Sequence, residues 1–342
     1  MKSKLIASLI ALCSCVSTAA WAETTILRMS NWLPPTHPLS EKILKPWIAE
    51  VAKESEGRIK IVLLPKVVGS AATQFDVARD GIADITFPIH AYTPGRFPLQ
   101  EISELPFLGD NAVAVGKAYW RIYNKHLAQY NEHRGVKLLG LSTLAGGRLH
   151  TTKKEINSIH DFSGLKVRVA GGASIAATSP LGAIPVQKPV SELYETLATG
   201  IVDGAMLAQE SVKSFRLLDL INHTLAVRGG FYNSSYALVM NPEKFDSLSE
   251  QDQQALIRAS GETWATIWGN AVHELDQASF EAGQEKGHTF KMAEGKLESD
   301  IKNTLSQVDA KWIARAEKAG LSNAKQVLGE FRDEIAKLEQ EL

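Results

Sequence analysis

Short apolar runs alternate with amphipathic helical stretches over the first three quarters of the chain, and then the pattern changes. Ile26 to Ser30 reads as a strand that closes at Asn31-Trp32-Leu33-Pro34-Pro35. A helix is predicted to start near Pro38, where proline is tolerated in the first turn. It carries Leu39, Ile43, Leu44, Trp47, Ile48 and Val51 at helical spacing. Further strands are predicted over 58–64, 83–87 and 136–142, with helices over about 71–79 and 111–132. A second unit of the same kind follows, with strands over 165–169 and 184–187, helices over about 173–181 and 191–198, and strands entered at Val202 and Ser235. This alternation predicts an α/β protein. No proline occurs after Pro242. Ser249-Glu250-Gln251-Asp252 resembles a capping box. The helix beyond it places Leu256, Trp264, Trp268, Val272 and Leu275 on one face and is predicted to run unbroken to about Gly287. At roughly 1.5 Å per residue such a helix, about 50 Å long, exceeds one small lobe and is expected to lie across two.

The start of the chain changes what counts as the folded protein. Lys2 and Lys4 precede an apolar run from Leu5 to Val16, and Ala20-Trp21-Ala22 is a small-x-small pattern. This is the layout of a secretory signal peptide, expected to be cut after Ala22, with a lipoprotein signal at Cys15 as the alternative. Removing 22 of 342 residues leaves 320, more than one lobe usually needs. Cys13 and Cys15 leave with the leader, so the mature chain has no thiol chemistry. Losing two lysines takes Lys+Arg from 37 to 35 against 38 acidic residues, a net charge of −3. That balance argues against nucleic acid or an anionic membrane surface as partner. No later stretch approaches the roughly 18 to 20 apolar residues of a membrane helix.

Little in the chain suggests catalysis. There is no G-x-S-x-G, no G-x-x-x-x-G-K-[ST] and no H-E-x-x-H. The nine histidines never fall at i, i+2 or i, i+4, so no metal site and no cofactor is expected. Arg168 is the sharpest feature: it sits in Leu165-Lys166-Val167-Arg168-Val169, just before a glycine-rich strand-to-helix turn, where α/β units bind ligands. A guanidinium there can grip a carboxylate through two parallel hydrogen bonds; the alternative is a surface or structurally paired arginine. Arg148, after Gly146-Gly147, is either a second anion contact or a solvated hinge residue. His90 and Tyr92 lie on a proline-rich loop that either lines a cleft or merely connects. Trp32 is a ligand wall or core, and Phe231, Asn233 and Tyr236 divide between inward and outward faces of a strand.

Three stretches together carry a family resemblance: Ile156 to Val169 (INSIHDFSGLKVRV), Ser191 to Gly204 (SELYETL through GIVDG), and Asn241 to Gln253 (NPEKF with LSEQDQ). With Gly81-Ile82-Ala83-Asp84 and Leu105-Pro106-Phe107 they span almost the whole mature chain. In these the chain resembles the DctP-type solute-binding proteins of the tripartite ATP-independent periplasmic (TRAP) transporters. The resemblance implies two α/β lobes closing around a hinge, a long bridging helix, a periplasmic location, a small organic carboxylate as ligand and a TRAP membrane permease as partner. The lobes are expected at 23–143 plus about 233–270, and 144–232 plus about 271–342, in a monomer. It also implies that Arg168 bonds the ligand carboxylate and that Asn233 falls on a polar site position. Leu207 stands where the family often has asparagine, and Leu149 and Ile89 replace other polar positions. These departures favour a less polar acid, aromatic or a short 2-oxo or hydroxy acid. A sensory binding protein and, further off, a periplasmic enzyme are the competing functions.

Overall fold

The computed structural model describes residues 24–34 and 36–342, so the expected leader lies outside the described residues. Its strands are β1 (Thr25–Met29), β2 (Ile59–Leu63), β3 (Ile85–Thr86), β4 (Lys137–Thr143), β5 (Arg148–Thr151), β6 (Lys166–Val169), β7 (Ile184–Gln187), β8 (Gly204–Leu207), β9 (His223–Ala226), β10 (Ser235–Met240) and β11 (Thr289–Met292). They form two sheets, ordered β2-β1-β3-β10-β4 and β11-β9-β5-β8-β6-β7. Each is the centre of one lobe of a two-lobed α/β protein. The first sheet is parallel from β2 to β3, and β10 runs antiparallel to both β3 and β4. β10 is buried at every position, as expected of a continuous apolar run between two neighbours.

The chain passes between the sheets three times, because β10 returns to the first sheet and β11 to the second. The first two passages lie side by side. Gly147 donates to Tyr232 O at 2.7 Å and Phe231 to Gly147 O at 2.9 Å. A Cβ on Gly230 would sit 2.5 Å from the Gly146 Cα, and Gly230 has φ +82°. Only residues without side chains let the two backbones approach this closely.

The third passage is a helix, but not the unbroken one that the periodicity suggests. Helix Glu250–Arg258, capped by Ser249, ends before Gly261, and a second helix runs from Glu262 to Glu285. Gly261 has φ +57°, donates to Leu139 O at 3.0 Å, and has the Trp120 ring where a side chain would be. Tertiary contact with strand β4's neighbourhood thus overrides the helical pattern. The 24-residue second helix still bridges both lobes. At its start Trp264 donates to Ser142 Oγ of β4 and packs on Trp47 and Trp268. Towards its end Ser279 donates to Gln209 O and Asp276 accepts from the Glu210 amide, both on the helix after β8.

Three strands escape the sequence pattern: β5, β9 and β11. Each has four residues and lacks an apolar run; β11 begins just past the expected end of the long helix near Gly287. Likewise the helix expected over 111–132 is α-helical only from Ala112 to Ile122. It then loosens to a π turn (Tyr123–Leu127) and tightens to a 3-10 turn (Ala128–Tyr130). Its start is set by Asn111, whose side chain accepts from the amides of Val113 and Ala114. Among the described residues, no helix is long and apolar enough to cross a membrane.

Candidate functional site

Strand β6 places Arg168 inside the protein because its neighbours do not compete for that face. Val167 and Val169 turn to a core shared with Phe162 and Phe231. Arg168 turns the other way and is only 2 % exposed. Its Nε donates to Lys188 O at 2.7 Å and its Nη2 to the Tyr92 hydroxyl at 3.2 Å. The rest of the guanidinium fork has no acceptor, and no carboxylate ion-pairs with it, among the described residues. Burying a charge without a counter-charge is costly. The remaining guanidinium donors are thus free for an acceptor that the described residues do not supply.

The cavity around Arg168 has two kinds of wall. Ile89, Leu144, Ala170, Val190, Leu207, Ala208 and Phe215 are apolar; Tyr92, Tyr232, Tyr236, Ser211 and Ser234 bring hydroxyls. Its cavity volume is only about 20 Å³, little more than one water needs, so the walls are closed tightly around the guanidinium here. Burial pushes the Tyr232 phenol up to about 12 even with Arg168 nearby, so it stays a protonated donor. One fixed cation, several phenols and an apolar remainder suit an acid with a compact, weakly polar body.

Of the residues singled out from the sequence, the structure brings Arg168, Tyr92, Leu207, Tyr236 and Ile89 to this cavity and places Arg148, Trp32, His90, Phe231, Asn233 and Leu149 elsewhere. His90 lies one turn from Tyr92 but faces a buried polar cluster. Its Nδ1 meets Ser235 Oγ at 2.8 Å and its Nε2 meets His133 Nε2 at 2.9 Å. Burial pushes it down to about 3, so it is neutral. Ser235 Oγ in turn donates to Glu104, which burial pushes up to about 8. Trp32 packs on Phe87 and donates weakly to Phe87 O, as part of the core. Phe231 is fully buried against Phe162. Asn233 is buried with its amide oxygen on the Ser234 N–H and its Nδ2 unpartnered.

The segment 231–236 carries a lesson in parity. Tyr232, Ser234 and Tyr236 line the cavity, and residues 231 and 233 do not. Period-two alternation separates the two sets, but sequence alone does not say which set faces in. The tyrosines at 232 and 236 were thus findable as a pair, without their direction. Ser211 and Phe215, on helix Gln209–Ser214 and its C-cap, carry no comparable signal.

Arg148 borders a different space. An open groove of about 780 Å³ is lined by Arg148, Asp110, His273, Asp276, Phe280, Phe290, Lys291 and Glu339, among others. Arg148 donates to Gln209 Oε1 at 3.0 Å. Burial raises Asp276 to about 6, against the pull of Arg148. This groove is larger but already balanced in charge, so the smaller cavity is the better site for an anion.

Comparison with known proteins agrees with this architecture. The family model of bacterial extracellular solute-binding proteins, family 7 (DctP), matches residues 29–315. The chain belongs to that family. Members of the DctP family of TRAP solute-binding proteins are substrate-binding components of periplasmic transport, working with membrane permease components. Among solved structures, this DctP-family chain is similar to a TRAP periplasmic solute-binding protein from Bordetella bronchiseptica with bound (R)- and (S)-mandelate. They share 38 % identity and a TM-score of 0.89, covering 92 % of this chain and 99 % of that one. A TRAP solute-binding protein from Rhodoferax ferrireducens in complex with copurified benzoate shares 28 % identity and a TM-score of 0.87, over 93 % and 99 %. Among sequences, the outer membrane transporter protein TsaT of Comamonas testosteroni is 26 % identical, over 95 % of this chain and 96 % of its own.

Proposed function

We propose that this chain captures an aromatic or similarly weakly polar monocarboxylate in the periplasm and hands it to a TRAP permease. The observation that carries the reading is a buried Arg168 with no acidic partner among the described residues, in a cavity otherwise lined by apolar side chains and hydroxyls. In this reading the open protein presents Arg168 from one lobe, and the carboxylate completes the charge pair as the lobes close. Exclusion of water strengthens that pair. The ligand shifts the protein toward closure by binding that state better, without bond-making. Leu207 and Phe215 supply apolar surface for the body of the acid. The ligands of the structural neighbours, mandelate and benzoate, support the same class.

The test is a panel of benzoate, mandelate, a hexuronate and neutral benzamide, read by thermal shift and calorimetry. An acid at about 100 times its Kd is expected to add roughly 2.7 kcal/mol of stability. Benzamide, lacking the charge, is expected to add none. Equal binding of benzamide, or a preference for the hexuronate, would sink the reading. Arg168→Lys keeps the charge but loses the planar fork, and is expected to cost about 100-fold in affinity.

A further inference from the structure

Tyr92 touches the candidate site in a way that a mere wall does not need. It ends the 3-10 turn His90–Tyr92 that follows β3, and so belongs with the first sheet. Its hydroxyl meets two donors that belong with the second sheet. One is Nη2 of Arg168, on β6, at 3.2 Å; the other is the Val190 backbone N–H, just beyond β7, at 2.8 Å. Guanidinium and amide groups can only donate, so the Tyr92 oxygen accepts from both. Both of its lone pairs are then in use. Its own proton has no protein acceptor among the described residues, and the side chain lines the cavity.

A second observation fixes this loop against the opposite lobe. A Cβ on Gly171, in the turn after β6, would lie 2.5 Å from Ala91 O, so these backbones touch where only glycine fits. Arg168 is thus held at two points. Lys188 O holds it from its own sheet's side, and Tyr92 holds it only when the lobes are together.

We propose that Tyr92 is a positioning residue that couples carboxylate capture to lobe closure: from the opposite lobe it orients the Arg168 guanidinium, and it donates its remaining O–H to the bound carboxylate. This rests on the reading that Arg168 holds a carboxylate. Without the closed lobes Arg168 has one fixed point, and without the anion the Tyr92 proton has no acceptor. Each event therefore favours the other.

The experiment compares the wild-type protein with Tyr92→Phe, which keeps the ring and removes only the hydroxyl. Benzoate and mandelate affinities are measured by calorimetry, and closure by the fall in radius of gyration in solution scattering at saturating ligand. Loss of a charge-assisted hydrogen bond and of the orienting contact is expected to raise Kd about 10- to 100-fold. The contraction at saturation is expected to be incomplete, which lost wall packing would not cause. Arg168→Lys, saturated at higher ligand, is expected to retain more contraction than Tyr92→Phe. If Tyr92→Phe binds within about twofold of wild type and contracts fully, the coupling is refuted while the carboxylate reading stands. If the wild type itself binds neither acid, the carboxylate reading fails first.

Discussion

Arg168 and Arg148 stand on the same face of the same sheet, two strands apart. Arg148 is opposite Leu207 on β8, and Arg168 is beside Ala205 on that strand, so all four point to one side. The helix Gln209–Ser214 divides that face. Gln209 accepts from Arg148, and Ser211 looks into the cavity of Arg168. On one side of the helix a cation lies in an open groove with Asp110, Asp276 and Glu339. On the other a cation is sealed among apolar groups and phenols with no acid at all. The sequence context of the two arginines is similar, since each follows or precedes a glycine pair at a strand end. The two arginines differ in burial and, above all, in the missing counter-charge at Arg168.

The largest expected effect breaks the comparison at Arg168 itself. Arg168→Met is expected to abolish acid binding while leaving the ligand-free protein as stable as wild type, or more stable by up to about 2 kcal/mol in urea unfolding. Replacing a buried charge by an apolar side chain often stabilises, whereas breaking a true internal ion pair costs about 3–5 kcal/mol. A loss of that size would mean that Arg168 serves the scaffold.

A smaller effect concerns Glu210, on the dividing helix. Burial pushes Glu210 up to about 7 and Glu104 up to about 8. Their unfolded values lie near 4.3. The folded state therefore keeps protons that the unfolded chain has released, and this stability is present at low pH and lost as pH rises through the folded values. His90 and His150 act in the opposite sense. Both are lowered to about 3 by burial, and resist protonation that the unfolded chain accepts below about 6.5. Between about pH 6.5 and 8 only the carboxyls contribute, so stability is expected to fall over that range. Glu210→Gln should remove about 1 kcal/mol of that fall. An unchanged slope would place the Glu210 proton elsewhere.

The smallest effect is the control. Arg148→Met removes a bond to Gln209 and a charge facing Asp276, neither of which lines the cavity. Carboxylate affinity is expected to stay within about threefold, under 1 kcal/mol. A loss near that of Arg168→Lys would join the groove to the site.

How legible each part was follows from its physics. The α/β class and most long elements were visible, because β1, β4, β7 and β10 carry uninterrupted or alternating apolar patterns. The short strands β5, β9 and β11 were not, since four-residue strands depend on their neighbours for burial. The unbroken helix failed at Gly261 for a similar reason: its left-handed turn is fixed by Leu139 and Trp120, far away in sequence. Of the cavity lining, Arg168 was marked out by its strand-end position, Tyr92 by its proline-rich loop and Leu207 by a family departure. In residues 231–236 both parities were open, and the family position fell on Asn233, which does not line the cavity, rather than on Tyr232.

By itself the sequence determined the fold class and the family, and placed an arginine near the end of β6, because periodicity and motif are local properties. The tertiary structure decided which parity of residues 231–236 faces the cavity, because that depends on what packs behind the strand. It decided that His90 is a neutral member of a buried network, because burial is a sum over neighbours. It also decided that Arg168 stands without an acid while Arg148 does not. A charge's partners are set by distance in space, and no spacing along a chain records them.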